Sequence, residues 1–252
     1  MKSQRQSQNR RSALRNVLNQ FLLILGMFYS ITAAFAAGVV THVSGTLVVK
    51  RADGTEKLLS LKSELQEGDT LVTQGGTYAR IKFDDGGEIV LRPNSQLKVD
   101  RFQFREVDPT QDSVGIALLK GGLRTVTGLL GKRNPGKFII VTPTSTIGIR
   151  GTHFGLLMCQ DDCEDIPTIN GQAPENGLHI DVADGAISVT NSAGEQILVS
   201  GQFGFVKSIV TLPIVVPPAN GIQVTMPSHI SQNRAAGKSL GKNRESAECA
   251  VE

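Results

Sequence analysis

Residues 78–93 read "YARIKFDDGGEIVLRP", and this stretch decides the fold class. Apolar side chains occupy every second position at Ala79, Ile81 and Phe83, and they alternate again after an Asp-Gly-Gly turn at residues 85–87. Alternation with a period of two predicts a strand with one buried face, and a glycine turn between two such runs predicts a hairpin. Pro93 then ends the pairing, because proline has no amide hydrogen to donate to a neighbouring strand.

The same strand–turn–strand pattern recurs along the chain. It predicts further hairpins with turns at Asp53–Gly54, Asp184–Gly185 and Ala193–Gly194. No segment after residue 37 has a sustained helical period, and the chain has 27 glycines, no tryptophan and only 5% aromatic residues. We predict an all-β fold whose glycine-cornered short strands form either a jelly-roll or sandwich-like domain or an irregular β-helical domain.

The first 36 residues differ from the rest of the chain and predict a signal peptide. Five basic residues, without any acidic residue, precede an uncharged apolar run from Phe21 to Ala36, which ends in an Ala-Phe-Ala pattern. A basic start, an apolar middle and a small-x-small end are typical of a secretory signal, so we predict cleavage between Ala36 and Ala37. The alternative is an uncleaved signal anchor, although the run is shorter than the roughly 20 residues that a membrane span prefers.

The charge of the chain depends on this segment. The whole sequence has 26 Lys and Arg against 23 Asp and Glu, and without the five basic residues of the leader the balance becomes 21 against 23. The mature chain therefore has no excess of positive charge, and we expect no nucleic-acid partner. An association with the membrane is expected only if the leader stays uncleaved.

Three cysteines indicate the redox environment. Cys159 and Cys163 lie four residues apart, and Cys249 lies near the C-terminus. In an oxidising compartment the close pair predicts a small disulfide at the base of the acidic insertion 159–177. The alternatives are two reduced thiols or a pairing that involves Cys249.

Five segments, taken in order, resemble the FecR-domain family of bacterial envelope proteins. They are "VVTHVSGTLVV" (39–49), "LQEGDTLVTQGGTYARIKFDDGGEIVLRPNSQLKV" (65–99), "LLKGGLRTV" (118–126), "TPTSTIGIRGTHF" (142–154) and "ADGAISV…LVSGQFGFV" (183–206). The residues assigned to the family signature are Gly68, Asp69, Thr142, Pro143, Gly148, Arg150, Gly151 and Thr152.

The resemblance implies an exported β-rich domain without known catalytic activity, which we place at residues 37–210. A proline-rich extension follows at 211–227, where residues 222–227 are predicted to add an edge strand, and residues 228–252 are predicted to be a disordered polar tail. The best-known members carry a cytoplasmic anti-sigma segment before a membrane helix and receive a signal from an outer-membrane receptor. Too few residues precede the apolar run here for such a segment, so we expect a stand-alone exported FecR domain rather than a membrane-anchored iron-uptake regulator.

Arg150 in "TIGIRGT" (146–152) has two interpretations. A guanidinium can hold a carboxylate or phosphate through two hydrogen bonds, which would make an anion clamp. We favour a structural role, a bond to an acid such as Asp69, Asp84 or Asp85, because no glycine-rich strand-to-helix loop follows. The family often has an acid after Arg-Gly-Thr, where this chain has His153; if that acid normally pairs with a cation, the pair is lost here.

The remaining polar groups do not predict an enzyme. Ser145 alternates with its threonine neighbours on a strand, the four histidines lack ligand spacing, and no G-x-S-x-G motif occurs. The acidic cluster 161–165 lacks known calcium-binding spacing, so a solvated loop is favoured over a calcium site. The basic loop of Lys132, Arg133 and Lys137 is too weakly charged to predict a polymer site. We predict no catalytic residue, no cofactor and no metal site.

The sequence therefore predicts a non-enzymatic binding or regulatory module of the cell envelope, periplasmic or secreted. Its partner would be an envelope protein or envelope polymer, held on loops or on an exposed strand edge. The alternative from another class is a structural module of an envelope or secreted assembly, and an enzyme ranks third.

Overall fold

A computed structural model describes residues 36–149, 151–166, 168, 171–227 and 230. The predicted signal peptide apart from Ala36, the signature residue Arg150, and the predicted polar tail apart from Ile230 lie outside these residues. In the described part, seventeen strands form one connected hydrogen-bonded network with a single short α-helix. The all-β prediction is therefore confirmed.

The strands are short apart from the long ninth one. Their bounds are β1 (Ala36–Val43), β2 (Leu47–Lys50), β3 (Glu56–Leu59), β4 (Glu64–Gln66), β5 (Thr70–Thr73), β6 (Ala79–Phe83), β7 (Glu88–Leu91), β8 (Gln96–Gln103), β9 (Ser113–Val126), β10 (Phe138–Val141), β11 (Thr146–Ile149), β12 (His153–Cys159), β13 (Gly177–Asp184), β14 (Ala186–Asn191), β15 (Gly194–Val199), β16 (Phe203–Val206) and β17 (Ile214–Val216). The helix is α1 (Leu129–Arg133), and 3-10 turns lie at Pro109–Gln111, Pro135–Lys137 and Pro218–Asn220.

The strand pairings form two sheets. Sheet A has the order β4–β1–β6–β7–β9–β12–β13–β16–β17 and is antiparallel. Sheet B has the order β3–β2–β5–β8–β9–β10–β11–β14–β15 and is antiparallel except between β9 and β10. In both sheets the strand order nearly follows the chain, so the chain passes back and forth between the two layers of a sandwich as it advances.

The long strand β9 belongs to both sheets. Its first half pairs with β8 and β10 in sheet B, and its second half pairs with β7 and β12 in sheet A. Gly121, where the change occurs, has a φ of +73°, in the region that favours glycine. A Cβ atom at Gly121 would lie 2.5 Å from the Ser95 hydroxyl oxygen. A glycine is therefore needed where the strand bends from one sheet into the other.

The inner faces of the two sheets share one hydrophobic core. Leu47, Leu97 and Ile116 enter it from sheet B, while Ile81 and Phe154 enter it from sheet A, and all five are fully or almost fully buried. Burial of a side chain of this size contributes about 1.5 to 3 kcal/mol. The alternation read from residues 78–93 thus selects the face of each strand that packs between the sheets.

Three of the four predicted glycine turns join paired strands. The turns at residues 53–54, 85–87 and 193–194 close the hairpins β2–β3, β6–β7 and β14–β15. The hairpin predicted at Asp184–Gly185 is wrong, because β13 pairs with β12 and β16 whereas β14 pairs with β11 and β15. The chain crosses from sheet A to sheet B at this turn. An Asp-Gly pair specifies a reversal of direction but does not specify which strand the next segment joins.

The proline-rich extension holds an edge strand at a different place from the predicted one. Residues 222–227 form no strand, whereas β17 pairs with β16 at the edge of sheet A. Pro217 and Pro218 follow β17 directly and remove two amide donors, so the pairing cannot continue. Residues 222–227 instead lie over the outer face of sheet A, where they contact side chains of β9, β12 and β13.

Candidate functional site

The signature segment 142–154 begins with a turn that its own hydroxyl groups close. The Thr142 hydroxyl accepts a hydrogen bond from the Ser145 amide at 3.0 Å and donates to the Ser145 carbonyl at 2.9 Å. Thr142, Thr144 and Ser145 are buried, while Pro143 is exposed at the tip. These hydroxyl groups stabilise the turn that leads into β11.

Gly148 lies in the floor of a groove of about 550 Å³ on the outer face of sheet B. The strand register places Ile139, Gly148, Ser188 and Ile197 side by side on β10, β11, β14 and β15. The two middle residues are small and the two outer ones are isoleucines, so the surface dips between them. A Cβ atom at Gly148 would lie 2.7 Å from the Ser188 hydroxyl oxygen, which shows how closely the floor is packed.

Two elements form the walls of this groove. The segment of α1 and the following 3-10 turn contributes Lys132, Pro135 and Gly136, and β15 contributes Glu195 and Ile197. A second signature glycine, at position 151, lies close to Lys132. The groove therefore has a floor of small residues, an apolar side chain at Ile197, a positive charge at Lys132 and a negative charge at Glu195. Such a surface can hold an extended chain, and its lining includes no histidine, cysteine or aspartate.

Asp85 fixes the helix that forms the first wall. Its backbone carbonyl accepts from the Leu129 amide at 2.9 Å, and its carboxylate accepts from the amides of Leu130 at 3.3 Å and Gly87 at 2.9 Å. Asp85 thus supplies the acceptor that Gly128, at the start of α1, cannot supply. Burial raises the pKa of the Asp85 carboxyl, and the bonds to Gly87 and Leu130 act in the opposite direction.

The acids considered as partners of Arg150 have other contacts. The Asp69 carboxylate pairs with the Arg51 guanidinium at 2.5 Å and accepts from the Gln66 amide at 2.8 Å. Gly68, beside it, has a φ of +88° in the turn before β5. Burial raises the pKa of Asp84. Because Arg150 lies outside the described residues, its structural role and its anion-clamp role both stay predictions.

The signature residue Thr152 extends the pairing of β9 with β12 in sheet A. The Thr152 amide donates to the Thr127 hydroxyl at 2.8 Å, and the Thr127 amide donates to the Thr152 carbonyl at 3.0 Å. These bonds link the start of β12 to the segment after β9. Thr152 therefore fixes the end of the signature segment in sheet A.

A buried polar network lies on the outer face of sheet A. Arg124 on β9 donates from Nε to His153 Nε2 at 2.8 Å and from Nη1 to the Asp181 carboxylate at 2.8 Å. Less than a tenth of each side chain is exposed. Because His153 Nε2 accepts a proton donor, the imidazole is neutral, and burial followed by the nearby Arg124 charge lowers its pKa. The cation beside His153 is Arg124, which forms its ion pair with Asp181.

The predicted disulfide between Cys159 and Cys163 is confirmed, with their Cα atoms 5.6 Å apart. The insertion that it bounds is further closed by paired bonds between Asp161 and Asn176. Asp162 pairs with Lys120 at 3.3 Å. Among the described residues, no group of three or more His, Cys, Asp or Glu side chains could hold a metal ion.

The basic loop has a structural arginine. Arg133 pairs with Asp112 through Nη2 at 2.6 Å, and its guanidinium carbon lies 4.7 Å from the centre of the Phe104 ring. This residue is thus bound to the neighbouring loop and is not available to a polymer. Lys132 of the same loop faces the groove on sheet B.

Sequence reasoning missed the network of Arg124, His153 and Asp181. In "GGLRTV" and "HIDVAD" these polar residues alternate with core residues, so the period-two pattern assigns them to the outer face, where solvent is expected. No local signal identifies the cluster, because its contacts depend on the order of β9, β12 and β13 in sheet A.

Residues 69–188 match the family model described as FecR protein. The match covers just under half of the 252 residues. The match includes Gly148 and Gly151 of the groove on sheet B together with the Arg124–His153–Asp181 network, and it confirms the family resemblance drawn from the five segments. None of the curated protein sequences matches the chain.

Some solved structures align with part of the chain. Two crystal structures of a "putative anti-sigma factor from Parabacteroides distasonis ATCC 8503" align at 14% identity with a TM-score of 0.43, over 60% of this chain and 59% of the other. A structure described as a "Cell surface anchoring domain" aligns at 31% identity with a TM-score of 0.24, over 25% of this chain and 82% of the other. The aligned region thus spans well under two thirds of the anti-sigma protein.

The one α-helix among the described residues is too short to cross a bilayer.

Proposed function

We propose that the chain is an exported, non-enzymatic FecR domain that binds a protein or polymer partner of the bacterial cell envelope through the groove on sheet B. The observation that carries this proposal is the position of the signature residues Gly148 and Gly151, which line an open groove. The signature hydroxyl groups at 142–145, by contrast, are bonded within their own turn. A domain whose surface offers an open groove is suited to binding.

Two features support export. The first 36 residues have the composition of a secretory signal. The Cys159–Cys163 disulfide is typical of proteins in oxidising compartments such as the periplasm or the extracellular medium. The proposed location is therefore periplasmic or secreted.

A pair of matched variants tests the groove. Ser188 and Thr190 lie two residues apart on β14 with side chains on the same outer face, but only Ser188 lines the groove. We expect Ser188→Leu to fill the groove and weaken binding of the envelope partner at least tenfold, and Thr190→Leu to leave it unchanged. The partner would be trapped by a photoreactive residue at Ile197, with Leu58 on β3 as the exposed control position. Equal capture at both positions, or equal binding by both leucine variants, would contradict the proposal.

The N-terminus of the recovered protein tests export separately. We expect mass spectrometry of the periplasmic or medium fraction to find a chain that begins at Ala37. A chain with intact Met1 in the membrane fraction would contradict cleavage, whatever the groove binds.

The second candidate, a structural module of an envelope assembly, is favoured by one observation. Large aliphatic side chains are exposed along the last two edge strands and the loop between β16 and β17, namely Ile197, Val199, Ile209, Val210, Leu212, Ile214 and Val215. Exposed apolar edges can pair with other chains. A structural module should co-sediment with a large assembly regardless of the Ser188→Leu change, which separates it from the binding module.

A further inference from the structure

The C-terminal segment crosses the outer face of sheet A from strand to strand. We call residues 217–227 together with Ile230 the C-terminal strap. Gly221 lies against the Phe203 ring on β16, Val224 contacts β12 and β13, and the Ile230 carbonyl accepts a bond from Arg80 on β6. The strap therefore spans sheet A from β16 to β6.

Val224 is the anchor of the strap. Its side chain is buried with Leu157, Cys159 and Cys163 in a second apolar cluster, separate from the core between the sheets. Gly155 on β12 provides the space, since a Cβ atom there would lie 2.5 Å from the Val224 Cβ. A glycine in the centre of a strand thus forms a slot for one branched side chain of the strap.

The backbone of the strap is recognised by side chains rather than by another strand. The Val224 amide donates to the Asp181 carboxylate at 3.3 Å, and the Val224 carbonyl accepts from Arg124 Nη1 at 2.9 Å. The next carbonyl, of Thr225, accepts from Arg92 Nη1 at 2.6 Å. Three arginines, on β9, after β7 and on β6, therefore donate to carbonyl oxygens of the strap at Val224, Thr225 and Ile230.

This arrangement has the parts of a peptide-binding groove: an apolar slot for one side chain, an acid for an amide, and arginines for carbonyl oxygens. Such contacts select a branched residue at the slot together with the backbone on either side of it, and they depend little on the other side chains. Gln223 and Thr225, on both sides of the anchor, are exposed.

We infer that the outer face of sheet A is a peptide-binding groove, and that its second occupant, besides the strap in the same chain, is the strap of a second copy. The second copy carries the full set of matching groups, with Val224 and the carbonyl groups in the same order. Because the contacts within one chain and between two chains are identical, exchange costs mainly the entropy of association and any strain in the linker. Within one chain the tether gives the strap an effective concentration in the millimolar range, so the closed form dominates in dilute solution.

Two complementary variants test the exchange. Val224→Asp removes the anchor, since its carboxylate would face Asp181, and leaves the groove intact. Gly155→Val fills the slot and leaves the strap intact. We expect each variant alone to be monomeric, and an equimolar mixture to contain a dimer in which the Gly155→Val chain supplies its strap to the Val224→Asp chain. Light scattering after size-exclusion chromatography measures this, and a mixture without dimer overturns the proposal.

A labelled peptide of residues 219–230, ANGIQVTMPSHI, tests the groove directly by fluorescence anisotropy. It should bind the full Val224→Asp chain at least tenfold more tightly than the wild-type chain, whose own strap competes. The same peptide with aspartate in place of valine should not bind. Equal affinity of the two peptides would overturn the proposal.

A milder variant covers the case in which Gly155→Val fails to fold. Arg92→Ala in the Val224→Asp background removes one carbonyl contact at the edge of the groove, and we expect it to weaken peptide binding several-fold. Unchanged affinity would contradict recognition through the carbonyl groups. None of these measurements involves the groove on sheet B, so adding Ser188→Leu should leave peptide binding and exchange unchanged.

Discussion

The outer faces of the two sheets differ in what covers them. On sheet A, strands β9, β12 and β13 present the buried residues Arg124, His153 and Asp181, and the C-terminal strap bonds to Arg124 and Asp181. On sheet B, strands β11 and β14 present Gly148 and Ser188, and an open groove lies above them. The face that has charged residues is closed, and the face that has small residues is open.

This difference shows that polarity does not predict exposure in this fold. Charged groups can be buried where each finds a partner of matching geometry, as the Arg124 guanidinium does with three acceptors. Small residues on an outer face leave backbone accessible, which suits a surface for another chain. We therefore expect substitutions on the outer face of sheet A to lower the stability of the fold. We expect substitutions on the outer face of sheet B to affect partner binding alone.

The largest expected effect comes from Arg124→Met. Removing the guanidinium leaves Asp181 as a buried carboxylate without its ion pair and removes the donor to His153. We expect the free energy of unfolding to fall by about 3 to 5 kcal/mol, measured by urea denaturation. The matched change Lys120→Met breaks the half-exposed pair with Asp162 and should cost no more than about 1 kcal/mol. Similar losses in the two variants would contradict the distinction between a covered and an open face.

Val224→Ala should have the next largest effect. It removes two methyl groups from the slot at Gly155, and we expect a loss of about 2 to 3 kcal/mol in the free energy of unfolding. The comparison variant on sheet B is Ile197→Ala, whose side chain is 58% exposed and whose loss should stay within about 0.5 kcal/mol. An Ile197→Ala loss as large as that of Val224→Ala would show that the sheet B face is covered in solution.

Reduction of the Cys159–Cys163 disulfide should cost about 2 kcal/mol, since it closes only a short loop. The two cysteines pack in the same cluster as Val224, so the loss should be partly shared with that of Val224→Ala. We expect the double change to be less than additive in thermal melts with and without reductant. If the two losses were fully additive, the disulfide and Val224 would stabilise the protein independently.

The smallest expected effect is a dependence on pH. The pKa of His153 is lowered from its ordinary value of 6.5, mainly by burial and then by Arg124, while Asp181 and Asp184 oppose the shift. The unfolded chain then binds the proton more readily, so this stability is complete above pH 6.5 and is lost as the pH falls towards the folded pKa. His179, whose pKa burial also lowers while its bond to the Glu175 carbonyl opposes the shift, contributes with the same sign.

The measurement is the melting temperature between pH about 5 and 7.5, a window above the ordinary range of carboxyl groups. Asp84 and Asp85, with pKa values raised from 3.8, act with the opposite sign, because they are protonated more readily in the folded state. His153→Gln keeps an acceptor for Arg124 and should flatten the profile, whereas His179→Gln should flatten it less. A profile unchanged by His153→Gln would contradict the assignment.

The sequence was sufficient for the class of fold and for several local features. Alternation at residues 79–91 predicts the hairpin β6–β7, and the spacing of Cys159 and Cys163 predicts their disulfide, because both depend on short-range geometry. The pairing of β13 could not be predicted, since its partners β12 and β16 are chosen by packing over the whole sheet. The strap could not be predicted for a related reason. The alternation in "GIQVT" predicts a strand, but the slot at Gly155 and arginines that are distant in the sequence hold this segment on the outer face of sheet A.

The candidate site could likewise be predicted only in part. The signature around Gly148 marks where the groove on sheet B lies, but its depth depends on Ser188 and on a helix positioned by Asp85, which are distant in the chain. Arg124 and Asp181 are 57 residues apart in sequence. Their contact follows from the order of β9, β12 and β13 in sheet A, and strand order is the information that local patterns do not contain.

The order of strands also affects the order in which the domain can fold as the chain emerges. Each strand pairs mainly with strands that come shortly before or after it, so a chain that emerges from the ribosome or an export channel N-terminus first can assemble both sheets as it advances. The bond from Arg80 to Ile230 spans 150 residues and has to wait until the last part of the domain has emerged. During that interval the arginines of sheet A are uncovered, and the newly made protein presents a surface that the finished protein hides.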